Sequence, residues 1–119
     1  MTRRRRPQSR HLPAFILLAL AEGPLHGGAI LTALSQRIPR FAPDSAAVYR
    51  TLQQCEQDGE VASEWDTTAK GPARKRYRLT KAGWKRLDAW REEIESRVAI
   101  LNYFLSTHEA LRKGVAPSR

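Results

Sequence analysis

The side chains of this chain that could do chemistry are concentrated between Phe41 and Leu79. One run, Arg74-Lys75-Arg76-Tyr77-Arg78, puts four cations into five residues. Upstream, Ala46, Arg50, Gln53 and Gln57 recur at helical spacing, flanked by Ser45, Tyr49 and Gln54. A guanidinium presents a planar fork of donors that matches a phosphate or the edge of guanine. A carboxamide both donates and accepts, which matches adenine. Arg50 could pair with guanine, Gln53 could read adenine, and Ser45 or Tyr49 could bond phosphate. The residue types leave open which does which. The plain alternative is a solvated helix face and a solvated strand face, since Gln and Arg are good helix formers. The basic run beside the helix favours a polyanion, and Lys70 lies in the loop before it.

Charge placement supports this. The net charge is +9 over 119 residues. Residues 1–11 carry five arginines and no acid, and residues 61–79 carry five bases and two acids. Residues 12–60 are slightly acidic, with Arg37, Arg40 and Arg50 against Glu22, Asp44, Glu56, Asp58 and Glu60. Arg3, Arg4 and Arg5 are either a minor-groove arm or a solubilising tail. Nothing comparable supports catalysis. There is no glycine-rich phosphate loop, nucleophile motif or triad, and His11, His26, His108 and the single Cys55 have no metal-site spacing. An enzyme is not expected, nor is a cofactor or metal. A lone cysteine also excludes an internal disulfide. The apolar run Phe15–Ala21 is too short to span a bilayer. Glu22-Gly23-Pro24 ends it without a cleavage site, so no secretory signal is expected and the location expected is the cytoplasm.

These side chains need positioning elements. Leu12 to Ala21 reads as a first helix, apolar nearly all round and therefore buried on several sides. His26-Gly27-Gly28 reads as a turn, and a second helix runs from about Gly27 to Ile38. Asp44 or Ser45 caps a third helix that Gly59 stops, with Val48, Leu52 and Cys55 facing inward. Val61–Trp65 and Arg74–Leu79 alternate around Gly71-Pro72 and predict a hairpin. Its second strand should put Arg74, Arg76 and Arg78 on one face and Lys75, Tyr77 and Leu79 on the other. Arginines so aligned repel one another unless an anion is near. Thr80 starts a last helix reaching about Arg112. About 30 residues at ~1.5 Å each extend roughly 45 Å, longer than a small domain is wide. Leu87, Trp90, Ile94, Val98, Leu101 and Leu105 recur at steps of three and four, a seam of the coiled-coil type. Trp84 and Leu87 are expected near the domain core, and the seam beyond them is expected to pair with a second copy, together with Phe15 and Leu18 of the first helix. The expected fold is mainly α with a small β-hairpin, a winged helix-turn-helix. Its parts are a basic arm over 1–11, the binding domain over 12–79, a dimerisation helix over 80–112 and a tail over 113–119.

Four stretches carry a family resemblance. They are Leu25-His26-Gly27, Ala47-Val48-Tyr49-Arg50-Thr51-Leu52, Glu56-Gln57-Asp58-Gly59, and the run from Gly71-Pro72-Ala73-Arg74-Lys75-Arg76 through Tyr77-Arg78-Leu79-Thr80 to Gly83. With these, residues 12–105 resemble the PadR family of bacterial transcriptional regulators, in its short form with a single C-terminal dimerisation helix. The resemblance implies a homodimeric repressor that binds an inverted repeat in double-stranded DNA. It also implies packing of the first helix on the partner's last helix, and for some members release by a small hydrophobic or aromatic effector held between the subunits. Trp90 and Ile94 are the residues here that could line such a site. Two positions depart from the family pattern: Gly28 stands where a tyrosine is usual, and Arg50 where a proline is usual. Two other functions fit the residues less well: an interaction adapter that has lost DNA binding, and a nonspecific nucleic-acid binder driven by the arginine tract.

Overall fold

A computed structural model of the chain describes residues 7–68 and 70–114. Among the described residues, four helices and three strands follow one another as α1 (Pro7–Ala21), β1 (Leu25–His26), α2 (Gly27–Arg37), α3 (Ser45–Gln57), β2 (Val61–Asp66), β3 (Arg74–Leu79) and α4 (Lys81–Arg112). Two departures from the sequence-based expectation have simple causes. The first helix begins five residues before Leu12, at Pro7, so Pro7–His11 are helical and not part of an arm. Proline suits a first helical position, where its fixed φ is already helical and its missing N–H has no partner to lose. Leu25-His26 is a strand, not part of a turn, and it pairs with β3. Two residues are too few to show the alternation that betrays a strand in sequence.

The sheet is antiparallel with order β1-β3-β2. Leu25 faces Tyr77 and His26 faces Arg76. On the other side of β3, Val61 faces Leu79, Ser63 faces Tyr77 and Trp65 faces Lys75, while Ala62, Glu64 and Asp66 face Arg78, Arg76 and Arg74. The inner face closes over the three short helices. Ile16, Leu17, Ile30, Val48 and Leu52 are wholly buried, and Val61 and Tyr77 join them from the sheet.

The chain divides into two compact units, Met1–Leu87 and Asp88–Arg119. The boundary falls within α4 and not at Leu79, because the start of α4 is fastened to the first unit. Thr80 caps it by accepting from the Gly83 N–H at 3.0 Å, and the Thr80 hydroxyl donates to the Gly59 carbonyl at 2.6 Å. The Thr80 N–H donates to the Glu60 carbonyl at 3.1 Å. Leu87 is half-buried, but Trp84, expected in the core, is half-exposed at 50%. It sits in the first turn of α4 on a face that the small domain leaves open. Among the described residues, no helix is long and apolar enough to cross a membrane.

Candidate nucleic-acid interface

Helix α3 is held by caps at both ends. The Asp44 carboxylate accepts from the Ala47 N–H at 2.7 Å. At the far end Gly59 adopts φ +76, a conformation that a side chain disfavours, and the Glu60 N–H returns to the Cys55 carbonyl at 2.9 Å. Val48, Leu52 and Cys55 point inward as their spacing predicts. Burial pushes the Cys55 thiol up to about 12, with Glu60 and Asp58 adding to the effect, so it stays protonated and is no nucleophile.

The opposite face of α3 presents Ser45, Ala46, Tyr49, Arg50, Gln53 and Gln54, all exposed. They are not equally available. The Gln54 amide donates to Asp58 at 3.1 Å, which turns it toward the acidic end of the helix. The Tyr49 ring lies over Gly27, so close that a Cβ there would stand 2.4 Å from it. Gly27 is thus the seat of Tyr49, and the ring ties α3 to the first turn of α2. Arg50 and Gln53 keep exposed hydrogen-bonding side chains, with the small Ala46 exposed beside them. A Cβ built at Gly28 would meet nothing within 4 Å.

The hairpin divides its cations between its two faces. Arg74, Arg76 and Arg78 are exposed on the outer face, as alternation predicts. Their crowding is weaker than the sequence suggested, because the register sets Asp66 opposite Arg74 and Glu64 opposite Arg76. Arg78 faces Ala62 and has no acid opposite it in register. Lys75 is on the other face, 3.8 Å from Glu56 of α3 and 5.8 Å from the centre of the Trp65 ring. Ser63 donates to Glu56 at 2.5 Å. Lys75 and Ser63 therefore brace the hairpin against α3, and Lys75 is less free for a ligand than its place in the basic run implied. Lys70 is exposed in the loop. Arg3, Arg4 and Arg5 lie outside the described residues.

Two participants escaped sequence reasoning. Trp65 is 63% exposed beside Lys75; its alternation with Val61 and Ser63 placed it on that face but gave no sign of its exposure. His26 bonds to Asp66 at 3.0 Å across the sheet, between residues 40 apart, and no local pattern signals that pair. Among the described residues, no three His, Cys, Asp or Glu side chains are grouped to hold a metal.

On the second unit, Val98, Leu101 and Leu105 of the expected seam are exposed, as are Ile100, Tyr103, Phe104 and Leu111. Trp90 is buried and Ile94 half-buried within the single chain. Phe15 is half-buried and Leu18 is 51% exposed. They line an open apolar hollow of about 230 Å³ with Ala33, Leu34 and Ile38, at whose edge Arg37 pairs with Glu22 at 2.8 Å.

The same fold occurs in known structures. A PadR family transcription regulator from Clostridium difficile superposes with a TM-score of 0.71 at 22% identity, over 80% of this chain and 98% of that one. A transcriptional regulator from Clostridium thermocellum gives 0.72 at 23% identity, over 80% and 90%. Bacillus subtilis PadR, solved in complex with operator DNA, gives 0.64 at 20% identity, over 88% and 70%. No curated protein matches the chain. The sequence model of the transcriptional regulator PadR-like family matches residues 16–89, from within α1 through the wing into the first turns of α4. The chain therefore belongs to the PadR-like family, a family of transcriptional regulators and not of enzymes.

Proposed function

We propose that this protein is a homodimeric repressor that reads an inverted repeat in duplex DNA and blocks transcription by occupying the promoter. The observation that carries the proposal is the pairing of two surfaces. Helix α3 exposes Arg50 and Gln53, and beside it a hairpin exposes Arg74, Arg76 and Arg78 on one face. The helix offers donors and acceptors for base edges, and the hairpin offers charge for phosphates. The operator complex of Bacillus subtilis PadR, which shares the fold, supports this choice of partner.

Dimerisation is supported by α4. Val98, Ile100, Leu101, Phe104, Leu105 and Leu111 expose 49–68% of their surface and spread over nearly half the circumference of the helix. Fully burying one such side chain contributes roughly 1.5–3 kcal/mol. A seam between two helices is narrower than this face. It fits two neighbours, the partner's α4 and its α1 at Phe15 and Leu18. Two copies of α3 about 34–36 Å apart would meet successive major grooves on one side of the duplex.

The test is selection of genomic DNA fragments by the purified protein at near-physiological salt. The expected result is a single inverted repeat with half-sites one helical turn apart. Replacing Arg74, Arg76 and Arg78 with alanine should then lower the slope of log affinity against log salt by about 0.9 for each phosphate no longer neutralised. Equal binding to every duplex would overturn the reading in favour of a nonspecific binder, and no binding would favour an adapter.

A further inference from the structure

His26 is the last residue of β1 and the N-cap position of α2, yet its side chain makes no capping bond. The ring turns to the sheet, where Nε2 lies 3.0 Å from Oδ2 of Asp66. Asp66 ends β2 at the point where the chain enters the wing loop. Its other oxygen, Oδ1, accepts from the Thr68 N–H at 3.1 Å and from the Thr68 hydroxyl at 2.6 Å. The two bonds from Thr68, and after them the one from His26, hold the Asp66 carboxyl down at about 2. It is ionised at neutral pH and accepts, so Nε2 of His26 carries the proton and donates.

The register gives this bond its reach. His26 faces Arg76, Arg76 faces Glu64, and Arg74 faces Asp66, so all five side chains share the arginine face of the sheet. The His26–Asp66 bond crosses over β3, joining the two outer strands directly. β1 is otherwise paired to the sheet at only two positions, Leu25 with Tyr77 and His26 with Arg76. Both partners are largely covered, at 24% and 14% side-chain exposure. A charge-assisted bond so shielded holds its geometry better than a solvated surface pair.

We propose that His26, acting through Asp66, is a positioning residue that fixes the mouth of the wing loop, and with it Arg74 and Arg76, against the start of α2. The number of phosphates the wing reaches then depends on a residue that need touch no DNA. This rests on the duplex-binding function proposed above.

Two readouts on the full-length protein test it, with H26A and H26Q. The glutamine side chain can place a donor near the position of Nε2. Without DNA, amide hydrogen exchange at Thr68 should quicken several-fold in H26A and return toward wild type in H26Q. With the selected duplex, H26A should lower the salt slope by about 1 for each phosphate that the wing no longer reaches. H26Q should restore that slope, and H26A should lower it no further in a protein already carrying R74A and R76A. General destabilisation would weaken binding without this selective fall in slope. Unchanged Thr68 exchange in H26A overturns the positioning role. Faster exchange with an unchanged slope overturns its link to phosphate binding. If the wild-type protein binds no duplex, the proposed function fails and Thr68 exchange still decides whether His26 orders the loop.

Discussion

Replacing Gly83 with alanine sets local preference against tertiary packing. Gly83 lies in the first turn of α4, where alanine is favoured over glycine by about 1 kcal/mol. A Cβ at this position, however, would stand 2.1 Å from the backbone carbonyl oxygen of Glu60, where ordinary contact begins at 3.4 Å, so the backbones must separate by about 1.3 Å. That carbonyl accepts from the Thr80 N–H, and the Thr80 side chain bonds to Gly59 and Gly83. The strain cannot be relieved without loosening the corner where α3, β2 and α4 meet. Overpacking costs about 1–3 kcal/mol, and one weakened hydrogen bond costs about 1 kcal/mol more. Against the helix gain, G83A should be destabilised by about 1–3 kcal/mol. For a unit of this size that lowers Tm by roughly 4 °C or more. Thermal unfolding followed by circular dichroism would measure it, at matched protein concentration because association raises apparent stability. Gly28 is the control. It is helical with open space at its Cα, so G28A should hold or raise Tm. A Tm for G83A equal to or above wild type would refute the close approach of Gly83 to Glu60.

Other perturbations give distinct signatures. Asp44→Ala removes the α3 cap bond and should cost about 1 kcal/mol in urea unfolding, and it should weaken duplex binding by misplacing Tyr49 and Arg50. Leu101→Asp puts a charge into the exposed apolar face of α4 and should convert a dimer to monomer in sedimentation equilibrium, with little change in far-ultraviolet circular dichroism. Asp66 is held low in the folded state, so its contribution is complete above the ordinary carboxylate range near 3.8 and is lost as pH falls toward about 2. Unfolding titrations between pH 5 and 2 should therefore show a smaller loss of stability for D66N than for wild type. Cys55, buried with its thiol pushed up to about 12, should react with a thiol reagent only at the rate of unfolding, and rapid labelling of the native protein would contradict its core position.

What the sequence determined by itself is local or periodic. Asp44, Gly59 and Thr80 mark helix ends because capping and left-handed turns use only neighbouring atoms. Val48, Leu52 and Cys55 reveal their buried face through helical spacing, and Arg74, Arg76 and Arg78 reveal their shared face through strand alternation. The family motif could be read for the same reason, since it lies in these short stretches. The tertiary structure decided which of these groups remain free to act. Lys75 sits in the same basic run as the arginines, yet Glu56 and Trp65 occupy it from the other face. Gln54 looks equivalent to Gln53 until Asp58 takes its amide. Trp90 and Leu101 occupy like positions on one apolar seam, but one is buried in the single chain and the other is exposed. His26 meets Asp66 only because a two-residue strand, too short to leave a pattern, pairs with β3. Periodicity specifies the direction in which a side chain leaves its own element, and only the folded chain specifies what it meets there.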